Sequence, residues 1–212
     1  MTITIRNEEL ILTKERAIFI PNEQLLAISD LHLGKSAHFR KAGLPIPSTL
    51  AQHDLDRLSN LLDKYQPNSL LINGDMFHHE LNTDVDAFVN WKNQYPTLKF
   101  IMVKGNHDRL EANKYQTLGI EIHDPTYHTS NFCFIHNALE CSVAQLYPIS
   151  GHVHPGVAII GKAKQRLKFP CFYFGEKYSI MPAFSAFTGL SLVKPKIGDQ
   201  IFAITPTKVV KV

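Results

Sequence analysis

Cysteine and tryptophan are scarce in this chain of 212 residues, which contains three cysteines and one tryptophan. Cys133, Cys141 and Cys171 cannot all pair with one another, and no two of them form a C-x-x-C spacing. Disulfide-rich scaffolds and zinc modules built on thiolates are therefore excluded. Reduced thiols of this kind are typical of a cytoplasmic protein, and we expect that location.

Long apolar runs and a signal sequence are also missing. No run approaches the ~18 residues needed to cross a bilayer, and residues 1–9 do not place an apolar stretch after a basic start. A large excess of either charge is absent too, because the formal net charge is only +3. We therefore expect a soluble protein without a membrane partner, and the charge neither requires nor excludes nucleic acid.

Apolar residues and histidines are what the chain does have. Hydrophobic residues make up 44 % of the sequence, which is enough for a core, and no linker or repeat divides it. We therefore expect a single domain over residues 1–212, since one domain usually takes ~100–200 residues. Histidine occurs 11 times. Because histidine binds metals and transfers protons near neutral pH, a metal site is the first functional hypothesis.

The first half of the sequence predicts alternating strands and helices, a pattern typical of a parallel sheet. The predicted strands span residues 9–13, 17–20, 25–29, 69–73 and 98–103. Helices are predicted over residues 48–65 and from residue 83 onward, from apolar residues three and four apart. In the second half, strand-like runs follow without a convincing helix between them, at residues 132–136, 145–150, 171–174, 189–193, 200–204 and 208–212. We predict an α/β fold, a two-sheet α/β sandwich with flanking helices.

Seven side chains that can ligate a metal follow the ends of these apolar strands. Ligands of an α/β sheet bind just beyond the carboxyl ends of its strands. The seven are Asp30, His32, Asp75, Asn106, His136, His152 and His154. Glycines at positions 74, 105 and 151 precede three of these segments and permit sharp turns there. For His136, a histidine satisfied within the core is the alternative interpretation.

The chemistry of this set favours two divalent ions. Imidazole, carboxylate and amide ligands without a thiolate suit Mn, Fe or Zn. Seven protein ligands are too many for one tetrahedral site, but they suit two metals roughly 3.5–4 Å apart. Asp75 can bridge the two ions through its two carboxylate oxygens. We expect two Mn²⁺ ions, with Fe or Zn as the alternatives.

The order of these motifs resembles the calcineurin-like metallophosphoesterases. D-x-H, G-D, G-N-H-D, a single His and G-H-x-H follow one another between residues 30 and 154. S-D-L-H-L-G-K at 29–35, F-R-K-A-G at 39–43 and P-A-F-S-A-F-T-G at 182–189 are similar to one bacterial branch, the ligase-associated DNA-damage-response endonucleases. With the last motif included, the resemblance covers most of the chain.

This resemblance implies a phosphodiester hydrolase, and within the branch a DNA endonuclease acting in DNA repair beside a DNA ligase, an exonuclease and a helicase. It implies that Asp75 is shared by both ions. One ion would take Asp30, His32 and His154, and the other Asn106, His136 and His152. A hydroxide bridging the ions would attack phosphorus, and His107 would stabilise the developing charge and protonate the leaving group.

The chain departs from the family pattern G-D-x-x-D, because His78 stands where the second acid is common. Which carboxylate orients His107 therefore stays open, with the adjacent Asp108 as one candidate. His78 and His79 are either contacts around the site or structural residues.

Basic residues near the motifs are candidate phosphate contacts. Lys35, Arg40 and Arg109 are the principal ones, with Lys41 and Lys104 beside them. An ordinary solvated surface is an equally good interpretation. For the whole chain, the alternatives are a small-molecule phosphodiesterase or a nucleotide pyrophosphatase. A non-catalytic scaffold is a further alternative, but such proteins lose ligand residues and all seven ligands are present in this sequence.

Overall fold

Within the described residues, seven strands form the first sheet of the protein. The computed structural model describes residues 1–35, 43, 50–77, 83–141, 145–161 and 165–212. The strands are β1 (Thr2–Ile5), β2 (Glu8–Leu12), β3 (Ile18–Ile20), β4 (Leu25–Ile28), β5 (Ser69–Asn73), β6 (Lys99–Val103) and β7 (Glu121–His123). They lie side by side in chain order. Pairing is antiparallel from β1 to β4 and parallel from β4 to β7.

The helices of the described chain cover the outer face of this sheet. They are α1 (Leu50–Tyr65), α2 (Thr83–Lys92) and α3 (Ala112–Thr117). Leu55, Leu58 and Leu62 of α1 are buried against the strands, because residues three and four apart share one face of a helix. Val85, Phe88 and Trp91 of α2 join the same core. The helix predicted over 48–65 is present over its described part.

The second sheet is mixed. Its strands are β8 (Thr126–His128), β9 (Phe132–Ile135), β10 (Tyr147–Ser150), β11 (Pro155–Ile160), β12 (Arg166–Phe174), β13 (Ser179–Ile180), β14 (Ser191–Leu192), β15 (Gln200–Ile204) and β16 (Val209–Lys211). The order is β14-β11-β12-β13-β10-β9-β8, and β15 pairs with both β12 and β16. Strand β10 is parallel to β9 and β13, whereas β11 and β12 form an antiparallel hairpin.

The two sheets face each other across a shared apolar core. Leu71 and Ile101 of the first sheet and Phe132, Phe172 and Phe202 of the second belong to this one cluster. The predicted two-sheet α/β sandwich with flanking helices is therefore confirmed. No helix of the described chain is long and apolar enough to cross a membrane.

Several elements differ from the prediction. Residues 1–20 form three strands instead of two, because β1 pairs with β2 through alternating half-exposed residues that give no apolar run. Helix α3 has only six residues, which is too short to show a helical period. Strand β11 begins with Pro155-Gly156, a pair that by sequence indicates a turn. Strands β7 and β8 have three residues each and were also not predicted.

Candidate active site

A first cluster of metal-binding groups consists of Asp30, His32 and His154, whose ligand atoms all lie within 4.8 Å of one another. His154 Nε2 lies 3.2 Å from Asp30 Oδ1 and 3.3 Å from His32 Nε2. The other oxygen of the fully buried Asp30 accepts hydrogen bonds from the Ser29 hydroxyl at 2.6 Å and from the His152 N–H at 3.1 Å. These two bonds fix the carboxylate so that Oδ1 faces both imidazoles.

A second cluster lies beside the first and consists of Asp75, His136 and His152. His136 Nε2 is 3.4 Å from Asp75 Oδ2 and 3.1 Å from Asn106 Oδ1, which brings the amide to the same place. The other ring nitrogen of His136 lies 3.1 Å from the carbonyl oxygen of Asn73. That bond fixes the tautomer and points Nε2 at the cluster, as is usual for a metal-ligating histidine.

His107 lies where the two clusters meet. Its backbone N–H donates to Asp75 Oδ1 at 2.9 Å, and its ring Nε2 is 4.0 Å from Asp75 Oδ2. Its ring centroid is 5.8 Å from that of His32 in the first cluster. The His107 side chain is 36 % exposed, compared with 3 % for Asp75, so it reaches from the buried carboxylate to the surface.

The backbone of the clusters is held in the left-handed region, which residues other than glycine adopt at a cost of order 1–3 kcal/mol each. The residues with positive φ include Asp30 (54°), His32 (49°), Asp75 (51°), His152 (66°) and His154 (52°). Such conformations persist only where the surrounding structure imposes them, and they concentrate at functional sites. This strain at five of the seven candidate ligands is an independent indication that the edge is an active site.

The charge of the clusters fits a bound divalent cation. Burial alone would raise the pKa of Asp75, but the hydrogen bond and charge of His136 outweigh it and lower the pKa to about 2. Burial likewise opposes the lowered pKa of Asp30, which the hydrogen bond from His154 produces. Burial lowers the pKa of His32 to about 3, so that this imidazole is neutral, the form that binds a metal. Two ionised carboxylates among converging imidazoles are a donor set that suits Mn, Fe or Zn.

Asp108 is a site residue whose role the sequence did not reveal. It is 2 % exposed, and its carboxylate accepts four backbone N–H bonds, from Asp75 (2.7 Å), Met76 (3.0 Å), Phe77 (3.1 Å) and Gly105 (2.9 Å). Burial raises the pKa of this carboxyl to about 7, although the backbone hydrogen bonds act to lower it. Asp108 therefore joins the loop that carries Asp75 to the loop that carries Asn106.

The C-terminal motif at 182–189 supports the first cluster. The Phe184 N–H donates to the carbonyl oxygen of Ser29 at 2.7 Å, and the Ser185 N–H to that of Asp30 at 3.3 Å. Arg16 holds the motif in turn, because its guanidinium donates to the carbonyl oxygens of Ala183 (3.2 Å) and Ser185 (2.8 Å). Nothing in the local sequence around Arg16 signals this role, since its partners are more than 160 positions away.

The candidate phosphate contacts are placed differently from one another. Lys35 is partly buried, which lowers its pKa, and the charges of Asp30 and Asp75 oppose that shift, so the ammonium lies near the clusters. Arg109 and Lys104 are exposed, and Lys104 pairs with Asp124 at 3.2 Å. Arg40 and Lys41 lie outside the described residues, as do His78 and His79.

Gly74→Ala is expected to disrupt the second cluster. A Cβ at Gly74 would overlap the imidazole of His136, and the φ of +85° is strained for any other residue. We expect a loss of about 1–3 kcal/mol in the free energy of unfolding and weaker Mn²⁺ binding. Thermal unfolding and Mn²⁺ titration measure both. Gly189→Ala is the control, because its Cβ would meet nothing within 4 Å; equal behaviour of the two variants would contradict the prediction.

Comparison with known proteins assigns a family to the part of the chain that contains both clusters. The family model of the calcineurin-like phosphoesterases matches residues 24–190. The nuclease MPE of Pseudomonas putida is 26 % identical with a TM-score of 0.85, covering 100 % of this chain and 99 % of that one. The phosphoesterase Yfce of E. coli is 14 % identical with a TM-score of 0.47, covering 89 % of this chain and 97 % of that one. A search of curated proteins finds no match.

Proposed function

Because the chain belongs to the calcineurin-like phosphoesterase family and is a metal-dependent phosphoesterase, we propose that it is a nuclease. It hydrolyses DNA phosphodiesters at a two-metal centre in this proposal. The observation that carries the proposal is the pair of adjacent clusters, each with one buried carboxylate and two imidazoles. The full-length likeness to a nuclease, at 26 % identity, supports a nucleic acid as the substrate.

The proposed ligands divide between the clusters, with Asp75 contributing to both. The first ion would be held by Asp30, His32 and His154, and the second by Asn106, His136 and His152. Bound ions would lower the pKa of water toward ~7 and neutralise charge on the phosphate. Mn²⁺ is the proposed metal, with Fe or Zn as alternatives that suit the same donors.

The chain's own residues orient the reacting groups. The Ser29 hydroxyl and the Asn73 carbonyl fix Asp30 and His136, so that both face the centre before substrate arrives. Lys35 lies close enough to both carboxylates to attract a phosphate to the same edge.

His107 is the proposed proton donor to the departing oxygen. His107→Ala should keep its metal, because the ligand clusters stay intact, but should lose about 100-fold in rate on alkyl diesters. An aryl leaving group needs little protonation, so its hydrolysis should fall much less. The test measures the metal content of the variant and its rates on the alkyl and aryl diesters. His53→Ala, a change at an exposed position of α1, is the control. Loss of metal, or equal losses on both diesters, would show that His107 has another role.

The role in the cell is also a proposal. The motifs at 29–35, 39–43 and 182–189 favour DNA repair together with a DNA ligase, an exonuclease and a helicase. Free cysteines at 133, 141 and 171 are compatible with the cytoplasm.

One set of substrates tests the function. Purified protein with Mn²⁺ is incubated with closed circular DNA, single-stranded DNA, cyclic nucleotides and an aryl phosphodiester, and Asp75→Asn protein serves as the control. Cleavage of the circle by the wild type alone supports the endonuclease. Turnover of the small diesters without DNA cleavage would replace it with a small-molecule phosphodiesterase.

A further inference from the structure

The net positive charge of this chain comes from one stretch of the sequence. No acidic residue lies between Glu140 and Glu176, and this stretch contains four basic residues, Lys162, Lys164, Arg166 and Lys168. The rest of the chain holds 18 of the 22 basic residues and all 19 acidic ones. The whole net charge of +3 therefore comes from the stretch that forms β11 and β12.

Two of these cations are described by the structure and share one side of the hairpin. Arg166 and Lys168 are two residues apart on β12, and alternate residues of a strand face the same way. Their partners on β11 are Ile160 and Ala158. Both cations are exposed, and among the described residues no carboxylate forms an ion pair with either. Lys194, exposed just past β14 on the other side of β11, adds a third charge nearby.

The hairpin extends past the edge that carries the site. Ser150 of β10 is level with Tyr173 of β12, because both are partners of Ile180 in β13. Strand β10 runs toward the site, and β12 runs in the opposite direction, so Lys168 and Arg166 lie five and seven residues beyond that level. At ~3.3 Å per residue these positions are about 16 and 23 Å past Ser150.

The base of the hairpin is joined to the first cluster. Strand β11 begins at Pro155, directly after His154, and the His154 carbonyl oxygen accepts the Ser191 N–H of β14 at 3.0 Å. A substrate held along the hairpin is therefore held in a fixed relation to the metal ligands.

We propose that the β11–β12 hairpin is an arm that binds the DNA phosphate backbone at a distance from the cleaved bond. This inference rests on the proposed function and names where that substrate is held. Lys168 and Arg166 lie opposite Ala158 and Ile160, four and six residues past His154. Since DNA rises 3.4 Å per base pair, the two cations would meet phosphates about four and six base pairs from that ligand. Contacts of this kind set affinity and position without reading sequence.

The arm predicts a loss that depends on substrate length and on salt. In the double variant Arg166→Gln/Lys168→Gln, Kd for a 30-base-pair duplex should rise about tenfold at physiological salt, and the slope of log K against log salt should shrink by about 2. The ratio of kcat/KM on this duplex to kcat/KM on an aryl diester should fall about tenfold. On a trinucleotide, too short to reach the arm, that ratio should stay at the wild-type value.

Lys177→Gln is the control for the removal of one exposed charge, since Lys177 is exposed just beyond the other end of β12. If the wild type cleaves DNA but each charge removed from the arm changes Kd and the salt slope no more than Lys177→Gln does, the arm alone is overturned. Diester turnover by the wild type without DNA cleavage would overturn the proposed function and the arm with it. Ile160 beside Arg166 is 72 % exposed, and an exposed apolar side chain next to cations would also suit an anionic lipid surface. Binding to anionic vesicles is therefore measured as well. A double variant that loses vesicle binding and keeps its DNA affinity would also overturn the arm.

Discussion

Asp75→Asn is expected to lower phosphodiester turnover more than about 1,000-fold, beyond the 10–100-fold typical for losing a group outside the ligand shell. Asp75 Oδ2 faces His136 Nε2 at 3.4 Å, and Oδ1 accepts the His107 N–H at 2.9 Å. One carboxylate thus faces the second cluster and holds the backbone of His107, the residue that carries the proposed proton donor. An amide carries no charge, and its nitrogen cannot ligate a cation as a carboxylate oxygen does.

The measurement pairs turnover with metal content for the same preparations. Asp75→Asn protein should hold less Mn²⁺ than the wild type, because the shared ligand is lost, while its thermal unfolding should show that it is folded. Asp63→Asn is the matched control, since that exposed carboxylate of α1 lies outside both clusters. Full activity at unchanged metal content would contradict the assignment of Asp75 as a shared ligand.

The sequence predicted the edge of the sheet where the site lies for a definite physical reason. Strands β4, β5 and β6 are continuous apolar runs, which are typical of parallel strands buried on both faces. Parallel strands end at the same edge, so the polar residues that directly follow them, Asp30, Asp75 and Asn106, come together. The structure places these three side chains and the four histidines in two adjacent clusters. That the clusters hold two ions stays a prediction.

The parts that could not be predicted depend on contacts between distant segments. Asp108 accepts hydrogen bonds from residues more than 30 positions earlier, and Arg16 from β2–β3 reaches the motif at 182–189. A single Asp or Arg in a loop has no periodicity that would reveal such a partner. The left-handed φ of Asp30 and His154 is equally invisible, because the sequence marks such conformations only where glycine stands.

The charge of the β11–β12 arm also could not be interpreted from the sequence alone. A count over the whole chain gives a mild +3 and does not show where that charge lies, because the basic and acidic residues outside 162–168 nearly cancel. Only the strand pairing places Arg166 and Lys168 together on one side of a hairpin that extends beyond the site. Local charge therefore becomes informative once the register is known.

Asp108→Asn is expected to cost about 2–5 kcal/mol of unfolding free energy, the largest effect on stability that we predict. Each carboxylate oxygen accepts two buried N–H groups, Oδ1 from Met76 and Phe77, and Oδ2 from Asp75 and Gly105. Whichever way the new amide is turned, its NH₂ faces two donors and leaves them unsatisfied, and each such buried group costs about 1–3 kcal/mol. At roughly 2–4 °C per kcal/mol for a chain of this size, Tm should fall by about 5–15 °C.

The same change should separate a positioning role from a purely structural one. The Asp75 N–H is among the groups that Asp108 holds, so losing the bond lets the shared carboxylate move. We therefore expect weaker Mn²⁺ binding and a lower kcat at temperatures where the variant is still folded, with KM for a small diester changing less. Asp86→Asn, an exposed change on α2, controls for the substitution itself. A variant that melts early but binds Mn²⁺ and turns over like the wild type would leave Asp108 with a structural role only, because Asp75 would then keep its place without it.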